Sequence, residues 1–279
     1  MLSRILNIIK ITRPLNCIIT FFSVLIGGFI ISESKLNLNL LLFASISASF
    51  ITAAGNVIND IYDVEADKIS HPNRPLPLNK LSLLQAKIIY VCLNLVALII
   101  LFFSSFSLAT IGIVVVILLL LYASSLKKVF LLGNLIVAFL TGLTFVFAGI
   151  AVGNTADSFI PAGFAFLINL IREIIKDTED MDGDVKHKVN SLPIVLGIKK
   201  TRWIVSGLIA VLILFTAYPF FNNIYKIEYF ILVMIIVNPI LIIAGKLFFN
   251  SASEKNLKTA SSLLKLNMII GLVAIYIGK

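Results

Sequence analysis

Thiols, imidazoles and charge are all scarce in this sequence of 279 residues. It has two cysteines and two histidines, and only 13% of its residues are charged. Cys17 and Cys92 both fall inside apolar stretches, so neither a disulfide framework nor a zinc site is expected. The charged share is about half of the ~25% usual for soluble domains, while 59% of residues are hydrophobic against an ordinary ~45–50%. That balance excludes intrinsic disorder, a coiled coil, a collagen-like fibre and a soluble core that would have to hide the surplus. An integral membrane protein remains. No cleavable signal is apparent, and the connections between apolar runs are too short for a separate soluble domain. One transmembrane domain over 1–279 is expected.

Nine apolar runs fall at about 15–32, 38–59, 82–104, 106–125, 129–153, 157–175, 199–219, 227–247 and 260–278. A membrane-spanning helix needs ~20 apolar residues. Lipid forces each span to satisfy its own backbone hydrogen bonds, so the runs are read as helices. Ahead of them, residues 1–14 mix Arg4, Lys10 and Arg13 with Leu2, Ile5, Leu6 and Ile9, the pattern of a short helix lying on the membrane surface. With nine spans, the first residues share a side with connections 2–3, 4–5, 6–7 and 8–9. That side carries 20 of the 23 Lys and Arg residues, and the other holds only Lys35, Lys226 and Lys279. The bias of positive charge toward the inside puts the first side in the cytoplasm and residue 279 outside. The net charge of +9 is thus a topology signal, and no nucleic-acid partner is expected.

Acidic residues are fewer still, 14 in all, and ten of them crowd into two windows. Asp60, Asp63, Glu65 and Asp67 form the first; Glu173, Asp177, Glu179, Asp180, Asp182 and Asp184 form the second. Four spans separate the windows, so both emerge in the cytoplasm, in segments of about 59–81 and 176–198. Their Asp-x-x-Asp-x-x-x-Asp spacing is identical and offset by 117 residues, from Asp60 to Asp177. Moved by that offset, spans one to four land approximately on spans five to eight. The expected fold is an all-α membrane protein: two parallel four-helix repeats and a ninth helix around a central cavity.

On a helix each triplet occupies an arc of about 60°, joined by Asn59 in the first window and Glu173 in the second. Like charges concentrated at the end of an apolar span call for a cation. Carboxylates without His or Cys favour a hard one, Mg²⁺ ahead of Ca²⁺ or Mn²⁺, and Mg²⁺ is commonly shared with substrate phosphates. The candidate ligands are Asn59, Asp60, Asp63, Asp67, Asp177, Asp180 and Asp184. Basic residues interleave with them: Lys68 and Arg74, then Arg172, Lys176, Lys186 and Lys188. They would weaken a bare cation site but suit a metal–diphosphate complex.

Asn59-Asp60-Ile61-Tyr62-Asp63-Val64-Glu65-Ala66-Asp67, followed by His71-Pro72-Asn73-Arg74-Pro75-Leu76-Pro77, resembles the first signature of the UbiA superfamily of intramembrane prenyltransferases. Lys176-Asp177-x-x-Asp180-x-x-Gly183-Asp184 resembles the second. Arg13-Pro14-x-Asn16 is similar to the family's opening, and Leu126-Lys127-Lys128 leading to Gly133-Asn134 is similar to its loop between spans four and five. The resemblance implies transfer of a long isoprenyl group from its diphosphate to an acceptor, with Mg²⁺. It weights Asn59, Asp63, Asp180 and Asp184 as direct Mg²⁺ ligands, and Asp63, Asp67, Asp180 and Asp184 as the catalytic set. It makes Arg13, Asn16, Lys68, Arg74, Lys127, Lys176 and Lys186 substrate contacts. Tyr62, Phe21, Phe22, Phe145 and Phe147 could offer aromatic faces to an allylic cation.

Within the family, Arg172-Glu173-Ile174-Ile175-Lys176-Asp177 and Asn73-Arg74-Pro75-Leu76-Pro77 look most like archaeal members that build ether lipids. Many relatives that alkylate aromatic rings carry Tyr where this chain has Arg172. A guanidinium binds phosphate oxygens in pairs, which suits a phosphate-bearing acceptor; a local ion pair with Glu173 or Asp180 is the other reading of Arg172. The implied donor is geranylgeranyl diphosphate, and the implied acceptor is the free hydroxyl of geranylgeranylglyceryl phosphate. Prenylation of an aromatic acid or haem is the alternative inside the family. A cation or lipid transporter is the alternative outside it, disfavoured because no acid lies at mid-span. The expected partners are these substrates and membrane lipids, with no obligate protein partner.

Overall fold

A computed structural model describes residues 2–32, 36–181, 190–250 and 253–279. Among these residues all regular structure is helical: α1 (Leu2–Thr12), α2 (Pro14–Ile31), α3 (Leu38–Tyr62), α4 (Val64–Ser70), α5 (Leu83–Ser104), α6 (Phe106–Ser124), α7 (Leu132–Ala151), α8 (Phe159–Glu179), α9 (Leu192–Phe221), α10 (Ile227–Asn250) and α11 (Glu254–Gly278). Nine of them, all but α1 and α4, are long and apolar enough to cross a membrane. The protein is a multi-pass membrane protein. Its two cysteines are free thiols.

Several helices extend past their apolar runs, whereas α7 stops inside its run of about 129–153. α3 continues to Tyr62 rather than stopping near residue 59, and α8 continues to Glu179 rather than 175. α9 starts at Leu192 and α11 at Glu254, each well before its apolar stretch. Hydropathy marks where lipid contact ends, but backbone hydrogen bonding continues wherever water can solvate the side chains. The consequence is functional: part of each acidic window is the last turn of a spanning helix. α9 also bends at Gly197, whose φ of 78° is left-handed and available to glycine without strain.

The chain divides into two compact units, residues 1–126 with 144–158, and residues 127–143 with 159–279. The division follows the expected repeat boundary after span four, except that the later turns of α7 group with the first unit. Small side chains explain the exception. A Cβ on Gly27 of α2 would lie 3.2 Å from the Phe145 ring and 3.5 Å from Ala148, so α2 and the end of α7 approach closely. Phe147, Ala148 and Ala151 accordingly join the core formed by Val24, Leu41, Ile51 and Leu101.

In the first unit α3 is central, packing on α1, α2, α5 and α6. Close helix approach in lipid relies on small residues, here Ala44, Ala97 and Ala109 in the core, and Gly112 against Leu101. A second, smaller cluster of Ile11, Val57, Leu76, Leu81 and Ala86 pins α1 and the segment after α4 onto α3 and α5. In the second unit α8 packs on α9 and α11, and α10 packs on α9 and α11. A π-helical turn at Val233–Val237 interrupts α10. Beside it the Tyr229 hydroxyl donates to the Thr216 carbonyl (2.9 Å) and the Thr216 hydroxyl meets the Asn238 amide oxygen (3.2 Å), satisfying polar groups inside the bundle.

Candidate active site

The first acidic segment turns a corner at its middle aspartate. Asn59 and Asp60 lie in the last turn of α3, while Asp63 both ends α3 and opens α4. The Asp63 N–H donates to the Asn59 carbonyl (3.0 Å), and the Asp67 N–H donates to the Asp63 carbonyl (2.8 Å). With φ −98° and ψ 5°, Asp63 leaves the α-helical path, so the triplet does not sit on one continuous helical face as its spacing predicts.

Asp60 and Asp67 are each 3% exposed and both are ion-paired. Arg13 Nη2 donates to Asp60 Oδ1 at 2.5 Å. Arg74 Nη1 donates to Asp67 Oδ2 at 2.6 Å and reaches Asp60 Oδ1 at 3.4 Å. Two carboxylates and two guanidiniums balance, which is what burial of charge requires. Several local features deliver these arginines. Pro14 disfavours the helical region for the residue before it, and Arg13 adopts φ 51°, turning the chain between α1 and α2. Asn56 Nδ2 donates to the Thr12 carbonyl (2.9 Å), and Lys10 Nζ donates to the Asn73 carbonyl (2.8 Å). The turns around Arg74 are held by Leu76 and Leu81 in the small apolar cluster.

Arg13 and Arg74, expected as substrate contacts, therefore engage Asp60 and Asp67, which were expected as metal ligands. Asn59 and Asp63 are half-buried on the intervening turns. Lys68 pairs with Glu65 at 2.8 Å on an exposed face, and Asn16 is exposed in the first turn of α2. Of the expected aromatic faces, Phe145 and Phe147 are buried, whereas Tyr62 and Phe22 are about half exposed.

The second segment is built on α8. Helical hydrogen bonding continues through Asp180, whose N–H donates to the Lys176 carbonyl (2.9 Å). Asp184 and Lys186 lie outside the described residues, as do Asp182 and Lys188. Asp177 Oδ2 accepts from Asn134 Nδ2 at 2.8 Å, in the first turn of α7. Ahead of that turn Leu131 is left-handed (φ 58°), and a Cβ on Gly133 would meet the Lys127 backbone at 3.1 Å. Glycine thus allows the Leu126–Lys128 turn to fold back on α7. The Asn190 N–H donates to the Lys128 carbonyl (3.3 Å), bringing the start of the next segment to the same place. Lys127 is half-buried there, and Lys176 and Asp180 are exposed.

Arg172 adopts the local arrangement: its Nη1 donates to Glu173 Oε1 at 2.6 Å. Its Nε is buried without a hydrogen-bond partner, and so is that of Arg202 on α9, a residue the sequence reading did not single out. No local pattern marks Asn134 as the donor to Asp177, a role visible only in three dimensions. Among the described residues no three His, Cys, Asp or Glu side chains converge into a protein-only metal cluster. Asn59, Asp63 and Asp180 offer oxygen donors only, a set that fits Mg²⁺, which binds few carboxylates and takes its remaining oxygens from phosphate and water.

The UbiA prenyltransferase family matches residues 20–269. Digeranylgeranylglyceryl phosphate synthase of Methanosphaera stadtmanae is 37% identical over 270 residues, which cover 97% of this chain and 98% of that protein. A solved structure of a digeranylgeranylglyceryl phosphate synthase shares 34% identity and superimposes with a TM-score of 0.83, over 99% of this chain and 98% of that one. A UbiA homolog from Archaeoglobus fulgidus bound to DMAPP and Mg²⁺ has the same fold at a TM-score of 0.65 and 15% identity, covering 96% of this chain and 99% of that one. From its amino-terminal turn to its last helix, this chain belongs to the UbiA prenyltransferase family.

Proposed function

We propose that the protein transfers a geranylgeranyl group from geranylgeranyl diphosphate to the free hydroxyl of geranylgeranylglyceryl phosphate. The bond from C1 of the donor to its diphosphate breaks, the electron pair leaving with diphosphate. A new ether bond forms to the acceptor oxygen, and the hydroxyl proton is released. The observation that carries this reading is the 37% identity, over 97% of the chain, to a digeranylgeranylglyceryl phosphate synthase.

Asn59, Asp63 and Asp180, with Asp184 beyond the described residues, are the proposed Mg²⁺ ligands. Held by these residues, Mg²⁺ would supply positive charge to the leaving diphosphate. Lys127 and Lys176 add charge-assisted hydrogen bonds to the phosphate oxygens. Arg172 is the proposed contact for the acceptor's phosphate: its Glu173 partner occupies one nitrogen and leaves the buried Nε available. A C20 chain on each substrate favours a site inside the bilayer, since each buried CH₂ contributes ~0.8 kcal/mol. The proposed topology keeps both acidic segments in the cytoplasm, where the polar headgroups of both substrates would reach them.

Purified protein incubated with labelled geranylgeranyl diphosphate, Mg²⁺ and a panel of acceptors tests the reading. The expected product is the doubly alkylated glyceryl phosphate, identified by mass. Turnover confined to a 4-hydroxybenzoate-like or haem acceptor would overturn it.

A further inference from the structure

The two units fasten the first aspartate of their triplet in the same way. In the first, Arg13, the residue just before α2, donates to Asp60. In the second, Asn134, the third residue of α7, donates to Asp177. α2 and α7 are the first long helices of their repeats, starting at Pro14 and Leu132, 118 residues apart, against the 117 between the aspartates. Each is preceded by a left-handed residue that is not glycine, Arg13 at φ 51° and Leu131 at φ 58°. Such residues are uncommon, and the described residues hold only four. Two of those four therefore occupy corresponding positions, each beside a hydrogen bond to a corresponding aspartate. One bond uses a guanidinium and the other an amide, so the chemistry differs while the placement is the same.

We infer that Asp60 and Asp177 are positioning residues rather than metal ligands. Each ties the acidic end of one helix to the start of its repeat's first helix. The tie fixes the turn that carries the next aspartate, Asp63 or Asp180, three residues on. What Asp63 and Asp180 then hold rests on the functional reading above; the ties themselves do not. The difference in partner chemistry makes a specific demand. Asp60 meets two cations and must stay a carboxylate, whereas Asp177 meets an amide N–H that an asparagine oxygen could also accept.

The test uses the purified full-length protein, first free of metal. Amide hydrogen exchange at residues 132–136 should speed up about tenfold in Asn134→Ala, the scale of one hydrogen bond. The double variant Asn134→Asp/Asp177→Asn reverses donor and acceptor and should return exchange to within about threefold of wild type. Wild-type exchange in Asn134→Ala, or no recovery in the double variant, would overturn the tie. This measurement stands even if the wild-type protein makes no prenylated product. With Mg²⁺ and both substrates, Asp177→Asn should move the Mg²⁺ concentration for half activity by less than about threefold, against about tenfold or more for Asp180→Asn. Equal shifts in these two variants would make Asp177 a ligand and sink the proposal.

Discussion

In the first acidic segment Asp60 and Asp67 are buried against Arg13 and Arg74, whereas in the second Asp177 meets the neutral Asn134 and Asp180 is exposed. The two segments have the same aspartate spacing, yet the aspartates in them face different surroundings. Burial of a carboxylate demands a cation, and the first segment obtains two from chain separated by 47 and 7 residues. Among the described residues of the second segment, Asp177 accepts from an amide and Asp180 is exposed, while Glu173 pairs with its neighbour Arg172. A repeated motif therefore fixes where carboxylates stand and leaves open what each one pairs with.

Four measurements would break or sharpen this contrast. The largest effect is expected on stability. Arg74→Ala leaves the buried Asp67 carboxylate uncompensated, while Asp60 keeps Arg13, and should cost ~3–5 kcal/mol; Asn134→Ala should cost ~1 kcal/mol. Denaturant unfolding in detergent compares them, and equal costs would erase the distinction between the segments. Replacing the buried pair together, as Asp67→Leu/Arg74→Met, should recover much of the Arg74→Ala loss.

Activity should rank the aspartates differently. Asp63→Ala and Asp184→Ala should each lower turnover by at least ~100-fold, the scale of losing a key electrostatic stabiliser, and EDTA should abolish transfer until Mg²⁺ is returned. Near-normal rates in either folded variant would argue against a metal–diphosphate role for that segment.

Arg172 belongs to the second segment alone, and its removal should separate the two substrates. Arg172→Ala should raise the acceptor's KM and leave the donor's little changed, a loss of ~1.5–3 kcal/mol, or roughly 10- to 150-fold in kcat/KM. Lys at this position should restore only part, because it lacks the paired guanidinium contacts. An effect confined to the donor would move Arg172 to the diphosphate. The smallest change is expected at Lys68, whose exposed pair with Glu65 should contribute no more than ~0.2–1 kcal/mol to stability; a larger loss on Lys68→Ala would show that α4 is held from that face as well.

Nine spans were legible because lipid imposes a local rule: each needs its own run of apolar residues, and α2, α3, α5 and α6 start or end within a few residues of theirs. The ends of α8, α9 and α11 were not, since helices run past the apolar boundary into residues that water solvates. The acidic windows were legible too, through their repeated spacing and the scarcity of any other acid.

By itself, then, the amino-acid sequence determined the membrane class, the number of spans and the positions of the two carboxylate segments. These depend on hydropathy and on spacing along the chain, which are properties of neighbouring residues. Only the tertiary structure decided that Arg13 closes on Asp60, that Arg74 serves Asp67, that Asn134 holds Asp177, and that the later turns of α7 join the first unit. The physical reason is that a buried charge takes whichever partner packing delivers to it. Arg13 and Asn134 reach their aspartates from 47 and 43 residues away, a separation that no local pattern encodes.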